Sequence, residues 1–255
     1  GFPSSSWMFR HVVEDLSAVA HVIAPDLPGF GASDVVDKPT FAGFADMIDE
    51  LLDQLGIRSF HLYLHDYGAA VGLHLATRRP DRIRGLIVQN ANAHRSGMGE
   101  QWADTEQFWR EPTREAEATA TAHLTFEGTR DQYVGGIPDD IADRIDQACW
   151  QEDWTVMSLP GRMQLQRALV LDYRQHVARF DEIARYLGQH QPPALMIWGR
   201  HDSFFDLDET LSWMKALPRM EAHILDGAHF LLETHGERAA TLMTEFIRRV
   251  EDGRM

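Results

Sequence analysis

The sequence predicts an α/β fold with a mostly parallel, doubly wound sheet and an inserted helical cap. Short, almost continuously apolar segments alternate with segments of helical periodicity near both ends of the chain. The middle of the chain has helical stretches rich in Trp, Arg and Glu but no convincing strand. Such an insertion between strands is expected to form a lid over the carboxyl edge of the sheet.

Apolar segments and their periodicity place each element in turn. The predicted strands span residues 21–24, 60–64, 85–89, 194–198 and 220–225. The predicted helices span residues 44–55, 68–79, 207–216 and 238–250. Gly56 is placed to end the first of these helices.

The order of these elements divides the chain into a core and a cap. Its 255 residues suit one large α/β domain with an insertion. We expect residues 1–93 and 187–255 to form the core and residues 94–186 to form the helical cap.

Composition limits the functions to consider. The net charge of −15 argues against binding to nucleic acid or to an anionic membrane surface. Cys149 is the single cysteine, which excludes an internal disulfide and favours a reducing, cytoplasmic location. No metal-ligand spacing or glycine-rich nucleotide loop occurs, so we expect neither metal nor cofactor. We expect a monomer or homodimer without a membrane-spanning segment.

Titratable residues follow three of the predicted strands. Asp66 follows residues 60–64, Asp202 follows 194–198, and His229 follows 220–225. Ligands of doubly wound sheets bind outside the carboxyl ends of the strands. An alternative for Asp66 alone is capping of the next helix, because Asp is a common N-cap. Asp202 and His229 also follow predicted strands, and this order along the chain favours a catalytic triad. In it Asp66 is the nucleophile, Asp202 the acid and His229 the base.

A sharp strand-to-helix turn at a nucleophile requires small neighbours two residues before and after it. Gly68 meets this expectation after Asp66, whereas Leu64 is bulkier than the glycine expected before it.

With these residues in place, the chain resembles the epoxide hydrolase and haloalkane dehalogenase branch of the α/β-hydrolases. The segments that carry the resemblance are GFPSSSWMFR, PDLPGFGASD, WGRHDSFF and GAHF. The resemblance implies an α/β-hydrolase fold, a cis peptide near Pro3, and an oxyanion hole from the backbone N–H groups of Phe2 and Tyr67. It also implies that the first strands of the family precede Gly1, so that the chain is truncated.

An aspartate nucleophile implies chemistry at a saturated carbon. A carboxylate displaces the leaving group and forms an alkyl ester on the enzyme. Water activated by His229, with Asp202 stabilising the imidazolium, then hydrolyses that ester. A serine esterase would need a Gly-x-Ser-x-Gly motif, which this chain lacks.

Leaving-group stabilisation distinguishes epoxide from haloalkane substrates. Dehalogenases of this branch place Trp after the nucleophile and often Asn or Glu in the oxyanion loop, where this chain has Tyr67 and Phe2. The segment LVLDYRQHV resembles the one that carries a ring-opening tyrosine, which corresponds to Tyr173. Thr105 takes the place of the second tyrosine and is no phenol, so Tyr133 is a candidate substitute.

The resemblance therefore favours opening of epoxides to diols, with water as co-substrate. The cap tryptophans, among them Trp109, predict an apolar pocket for a small neutral substrate that Tyr133 also contacts. Two alternatives stay open. One is haloalkane dehalogenation with donors from cap tryptophans, and the other is a small-molecule receptor that keeps the triad.

Overall fold

The computed structural model describes residues 1–254 and contains one parallel sheet of four strands. The strands are β1 (Phe60–His65), β2 (Ile83–Gln89), β3 (Ala194–Gly199) and β4 (Glu221–Leu225). They lie in the order β1-β2-β3-β4, and every neighbouring pair is parallel. Their carboxyl ends therefore lie at one edge of the sheet.

Helices connect the strands and cover both faces of the sheet. They are α1 (Val13–Ser17), α2 (Phe41–Gln54), α3 (Asp66–Arg78), α4 (Ala103–Arg110), α5 (Arg114–Ala120), α6 (Phe126–Val134), α7 (Asp139–Ala142), α8 (Ala148–Met157), α9 (Arg162–Ala178), α10 (Phe180–His190), α11 (Asp208–Ala216) and α12 (Leu232–Glu251). Short 3₁₀ turns occupy Ser6–Phe9, Pro80–Arg82, Arg95–Gly97 and Glu100–Trp102.

Alternate side chains of the central strands enter two different apolar clusters. Leu195 and Ile197 of β3 pack with α12, whereas Met196 and Trp198 of the same strand pack with residues of α3, α10 and α11. Both faces of β3 are buried, which explains why its sequence is continuously apolar rather than alternating. The predicted α/β architecture is confirmed.

The ends of the predicted helices differ slightly from their observed ends. Helix α2 starts three residues before the predicted start, where the Thr40 side chain caps the N–H of Gly43. Its end agrees with the prediction, since Gly56 follows with a φ of +70°. Helix α3 begins at Asp66 itself, and α12 begins at Leu232, with a non-helical residue at His235.

The predicted strand at residues 21–24 is wrong. This segment belongs to no strand among residues 1–254, although it adopts no helix or turn either. A strand requires a hydrogen-bonded neighbour, and β1 is the edge of the sheet on this side. An open, mostly apolar cavity of about 540 Å³ is lined both by residues 21–27 and by residues of β1, such as Leu62 and Tyr63.

The segment between β2 and β3 is helical, and within the described part of the chain it contributes no strand to the sheet. Arg162 at the start of α9 ties it to the loop before α2 by donating to the carbonyl oxygens of Gly31 and Ser33, both at 3.0 Å. The division at residues 94 and 186 stays a prediction. Among residues 1–254, no helix has the length and apolar character needed to cross a membrane.

Candidate active site

Side chains that follow three strands meet at the carboxyl edge of the sheet. Asp66 comes directly after β1, Asp202 lies three residues after the end of β3, and His229 lies four residues after β4. All three are buried at this edge. The structure thus brings the predicted triad residues together, and their catalytic roles stay predictions.

Asp66 occupies a backbone conformation that side-chain-bearing residues rarely adopt. Its φ is +47°, in the left-handed region where a Cβ crowds the backbone. The carboxylate does not cap α3, because the residue at the cap position is His65 and makes no side-chain cap bond. Instead, the backbone N–H of Phe2 donates to Oδ1 of Asp66. This geometry argues against the capping alternative.

The small residue that the turn requires is Gly72 rather than Gly68. A Cβ at Gly68 would meet no atom within 4 Å, whereas one at Gly72 would lie 2.4 Å from Cδ2 of Leu64. Leu64 is fully buried, so its side chain fills the space above Gly72. The sequence-based explanation of Gly68 is therefore wrong, and Gly72 explains why the bulky Leu64 is tolerated.

One of the two backbone N–H groups predicted to form an oxyanion hole contacts the Asp66 carboxylate. The N–H of Phe2 already points at the carboxylate, and the Phe2–Pro3 peptide bond is cis. The N–H of Tyr67 lies in the first turn of α3, where helical N–H groups lack an intrahelical acceptor. Both groups can therefore stabilise negative charge that develops on the Asp66 carbonyl oxygen.

His229 and Asp202 form a buried hydrogen-bonded pair. Nδ1 of His229 donates to Oδ2 of Asp202 at 2.7 Å. The other oxygen, Oδ1 of Asp202, accepts from the N–H groups of Phe204 at 2.7 Å and Phe205 at 3.1 Å. These bonds fix the carboxylate, and the carboxylate in turn fixes the orientation of the imidazole.

The surroundings of His229 raise the pKa of its imidazole. Burial alone would lower its pKa, but the charges of Asp202 and Asp66 outweigh burial and raise the pKa above its usual 6.5. The ring stacks on Phe205 with centroids 5.4 Å apart. Its Nε2 is buried without a hydrogen-bond partner among residues 1–254. An imidazole nitrogen in this position can take a proton from a bound water.

A polar network that the sequence reading missed supports the edge of the sheet. Nε2 of Gln89 donates to the carbonyl oxygen of His229 at 3.1 Å, and Tyr63 donates to Oε1 of Gln89. Asn90 joins β2 to β3, since its amide exchanges two hydrogen bonds with the backbone of Gly199. The sequence feature that could have predicted this network is the polar pair Gln89 and Asn90, which ends the apolar segment GLIVQN.

Tyr173 of α9 faces the nucleophile from the cap. Burial, and next the charge of Asp66, raise its pKa well above the ordinary value. Its ring lies 5.9 Å from that of Tyr67 and stacks on Trp102 at 5.0 Å. The hydroxyl is buried within reach of the Asn92 side chain, which lowers its pKa slightly, and it makes no close hydrogen bond within residues 1–254, so it can donate to a bound molecule.

Two cap tryptophans line the same region, but their N–H groups are already bound. Trp109 stacks at 6.2 Å on Tyr173 and donates from Nε1 to the carbonyl oxygen of Val170 at 2.8 Å. Trp102 donates from Nε1 to the carbonyl oxygen of Phe204 at 3.0 Å. Both rings offer apolar surface rather than a free donor.

Tyr133, the candidate for the second ring-opening phenol, is engaged elsewhere. Its hydroxyl donates to Oδ2 of Asp153 at 2.5 Å, and its ring stacks on Phe230 with centroids 4.1 Å apart. Burial raises the pKa of Asp153 to about 6. The structure therefore gives Tyr133 a role in packing α6 and α8 against the His229 loop, which argues against the donor role and the substrate contact.

Two further residues that the sequence reading missed lie near the nucleophile. His123, in the turn between α5 and α6, packs its ring edge-on against Phe2 at 5.5 Å. Burial lowers its pKa, partly offset by the charge of Asp66. Asn92, three residues after β2, is fully buried, and its side chain lies within hydrogen-bonding reach of the Tyr173 hydroxyl. Neither follows a recognisable motif.

Within residues 1–254, no group of three or more His, Cys, Asp or Glu side chains is arranged to hold a metal ion.

Comparison with known proteins is consistent with this geometry. Residues 1–236 match the family described as alpha/beta hydrolase fold. An uncharacterized hydrolase of Saccharomyces cerevisiae is 31% identical over 92% of this chain and 82% of its own length. A haloalkane dehalogenase of Psychrobacter cryohalolentis is 27% identical over 97% of this chain and 81% of its own length.

A solved structure has the same overall fold. It is a variant of a candidate epoxide hydrolase from Pseudomonas aeruginosa, with a TM-score of 0.76 and 19% identity. The similarity covers 100% of this chain and 88% of the other. At this identity the likeness concerns the fold.

Proposed function

The chain belongs to the α/β-hydrolase fold family, and from this premise we propose that it opens epoxides to diols through an ester formed on Asp66. The chain is a hydrolase by family, and the proposal concerns its nucleophile and its substrate. The observation that carries the proposal is a pair of buried groups beside Asp66. They are Nε2 of His229, which has no hydrogen-bond partner among residues 1–254, and the hydroxyl of Tyr173, which lies within reach of the Asn92 side chain and makes no close hydrogen bond there.

In the first step, the Asp66 carboxylate attacks a ring carbon of the epoxide. The carbon–oxygen bond of the ring breaks, and the leaving oxygen takes a proton from Tyr173 as an ester forms on Asp66. Burial of Tyr173 disfavours the phenolate, so the phenol holds its proton until the ring opens.

In the second step, water attacks the carbonyl carbon of that ester. Nε2 of His229 takes the proton of the water, and the Asp202 carboxylate stabilises the imidazolium that results. The N–H groups of Phe2 and Tyr67 stabilise the tetrahedral oxyanion, a contribution of about 3–4 kcal/mol. On collapse, the carbon–oxygen bond to the former substrate breaks, and the departing oxygen takes the proton of the His229 imidazolium, which releases the diol. The proton left on the Asp66 carboxylic acid returns to the Tyr173 phenolate, which restores the Asp66 carboxylate.

Haloalkane dehalogenation is the second candidate, favoured by the name of the Psychrobacter cryohalolentis relative. A halide would need free N–H donors at the leaving-group side. The indole N–H groups of Trp102 and Trp109 are bound to backbone carbonyls, and Tyr67 takes the place of the expected Trp. These contacts favour an oxygen leaving group over a halide.

We propose a small, neutral, largely apolar substrate, since the rings of Tyr67, Trp102 and Trp109 pack on the ring of Tyr173 and form an apolar surface near Asp66. The single Cys149 supports a cytoplasmic location.

Trapping of the ester tests the proposal. In the His229→Gln variant the first step proceeds and the second stalls, so intact mass spectrometry with a styrene-type epoxide should show a stoichiometric adduct that maps to Asp66. The matched control is His21→Gln, at an exposed histidine outside the site. A receptor that keeps the triad without turnover would give no adduct.

Isotope labelling separates the ester route from direct hydrolysis. In a single turnover of the wild-type protein in ¹⁸O water, the label should enter the Asp66 carboxylate and not the diol. Label in the first diol formed, with none in Asp66, would disprove the ester route. Halide release from haloalkanes with no diol from any epoxide would favour the second candidate.

A further inference from the structure

A buried glutamine on the inner face of the cap lacks any internal hydrogen-bond partner. Gln166 of α9 is 0% exposed, and neither its Oε1 nor its Nε2 finds a partner among residues 1–254. Leaving an amide unpaired in an apolar environment costs roughly 2–7 kcal/mol. A buried amide of this kind binds either an internal water or a polar group of a bound molecule.

Gln166 lies on the same face of α9 as the proposed ring-opening phenol. Seven residues separate it from Tyr173, which corresponds to two helical turns and places both on one side of the helix. The rise of the helix puts their Cα atoms roughly 10 Å apart. A molecule that lies along this face can reach both side chains.

Two other inward polar residues of α9 are bound within the protein, unlike Gln166. Arg162, one turn earlier, donates to two backbone carbonyls, and Nε2 of His176 is 2.8 Å from the carbonyl oxygen of Asn92. The unpartnered groups on this face are the amide of Gln166, the hydroxyl of Tyr173 and Nδ1 of His176. Protein packing thus satisfies the start of the helix but not the segment that faces the site.

Gln166 is flanked on α9 by apolar residues of the cluster that packs around the site. Leu165 and Leu169, its neighbours on the helix, are in the same buried cluster as Phe2, Tyr67 and Tyr173. In an apolar wall, one amide with a free donor and a free acceptor selects for a polar group at a fixed place.

We propose that Gln166 determines specificity by binding a polar group of the substrate roughly 10 Å from the reacting ring. The substrate class is then a medium-chain epoxide that carries a hydroxyl, ether or amide group at its far end. This inference rests on the proposed function, which sets the position of the epoxide ring. It adds one polar group to the apolar substrate expected from the cap tryptophans.

Paired substrates test the proposal. A homologous series of terminal epoxides is compared with the same epoxides bearing an ω-hydroxyl group. At the matching length, the wild-type protein should prefer the hydroxylated member by about tenfold or more in kcat/KM, the effect of one well-made hydrogen bond. Gln166→Met should abolish that preference, measured as the ratio of kcat/KM for the two substrates in the same variant.

Gln164→Met is the matched control, because Gln164 is exposed on the same helix, two residues away. It should keep the wild-type preference. An equal preference in wild type and Gln166→Met, or no preference at any chain length, would overturn the inference. A permanently bound internal water on Gln166 would give the latter result.

A binding measurement keeps this test separate from the proposed reaction. Alkane-1,2-diols with and without an ω-hydroxyl group are compared by their shift of the melting temperature, which requires no turnover. A larger shift with the ω-hydroxylated diol, lost in Gln166→Met, supports the inference even if no epoxide is hydrolysed. Diol formation without any such preference supports the function and rejects the role of Gln166.

Discussion

The imidazole of His229 donates to the carboxylate of Asp202 at 2.7 Å, and both side chains are buried. Burial would lower the pKa of His229, but Asp202 and Asp66 together raise it above 6.5. The proposed second step needs the neutral imidazole, so the same pair that orients the base also limits the pH range in which it works.

Turnover should therefore fall as the pH drops below the pKa of His229, which lies above 6.5. Below it His229 is protonated and cannot take a proton from water, so kcat should drop about tenfold per pH unit. Alkylation of Asp66 does not need the neutral imidazole, and the ester should accumulate at low pH. Rapid-quench mass spectrometry across the pH range checks this.

Asp202→Asn provides the corresponding control. Loss of the carboxylate removes the main cause that raises the pKa of His229, so the acidic limb should move to lower pH. The maximal rate should fall by roughly 10²–10⁴-fold, because the imidazolium loses its partner. An acidic limb at the same pH in both proteins would contradict the assignment of the base.

Tyr173→Phe should distinguish epoxide opening from dehalogenation. Without the phenol, the alkoxide leaves without a proton donor, so kcat/KM for epoxides should fall by about 10²–10⁴-fold. Dehalogenation, where the leaving group needs no proton, should change little. Tyr186→Phe is the control, since Tyr186 is also buried with an unpartnered hydroxyl but lies on α10. Equal losses with both substrates would argue against the donor role.

Asp153→Asn should show how much the buried carboxylate that binds Tyr133 lowers the free energy of unfolding at neutral pH. Burial raises the pKa of Asp153 from 3.8 to about 6, so the folded state binds its proton more tightly than the unfolded state. This contribution to stability is fully present below pH 3.8 and is lost as the pH rises through about 6. It amounts to roughly 3 kcal/mol.

The asparagine variant removes this titration and keeps an acceptor for the Tyr133 hydroxyl. Relative to wild type, it should therefore gain free energy of unfolding between pH 4.5 and 7.5, by about 2–3 kcal/mol. Urea denaturation at several pH values measures the difference. Asp140→Asn, at an exposed position, should show no such trend. A pH-independent difference for Asp153→Asn would disprove the linkage.

Local sequence patterns predict much of this molecule because they reflect local physics. The apolar segments of β1, β2, β3 and β4 and the turns after them were identifiable, and so was the clustering of Asp66, Asp202 and His229 at one edge. The segment 21–24 has the same local pattern as a strand but lacks a hydrogen-bonded neighbour. Pairing is a property of the assembled sheet, which a local pattern does not contain.

Side-chain partners that are far apart in the sequence were not predictable. The engagement of Tyr133 by Asp153, the unpaired amide of Gln166 and the support of His229 by Gln89 depend on how the helices pack. The same is true of the contact that lets Leu64 replace a smaller residue, since it depends on the angle between β1 and α3.

Gly72→Ala tests that contact. A Cβ there would approach Cδ2 of Leu64 to 2.4 Å, and this overpacking should cost about 1–3 kcal/mol despite the better helix propensity of alanine. In a Leu64→Ala background the same change should be neutral or stabilising. Gly68→Ala, on the same helix with open space, should not destabilise. Denaturation curves of the four combinations give the coupling, and additive effects would contradict the explanation.

A second buried carboxylate, Glu209, holds the start of the cap to the core. It is 0% exposed in the first turn of α11. Oε1 accepts from the backbone N–H groups of Ala93 at 2.7 Å and His94 at 3.0 Å, and Oε2 accepts from the Ser96 hydroxyl at 2.6 Å. These donors belong to the loop that leads from β2 towards α4, so the carboxylate fixes that loop against α11.

Glu209→Gln should therefore destabilise the protein and loosen the cap. The amide has one acceptor oxygen and presents an NH₂ group to donors, which leaves buried N–H or hydroxyl groups unpaired at a cost of about 2–4 kcal/mol. Urea denaturation should show this loss, and hydrogen exchange should show faster exchange at residues 93–97 than elsewhere in the core. Glu237→Gln, at an exposed glutamate of α12, should change neither measurement. Equal stability of the two variants would show that the Glu209 contacts do not hold this loop.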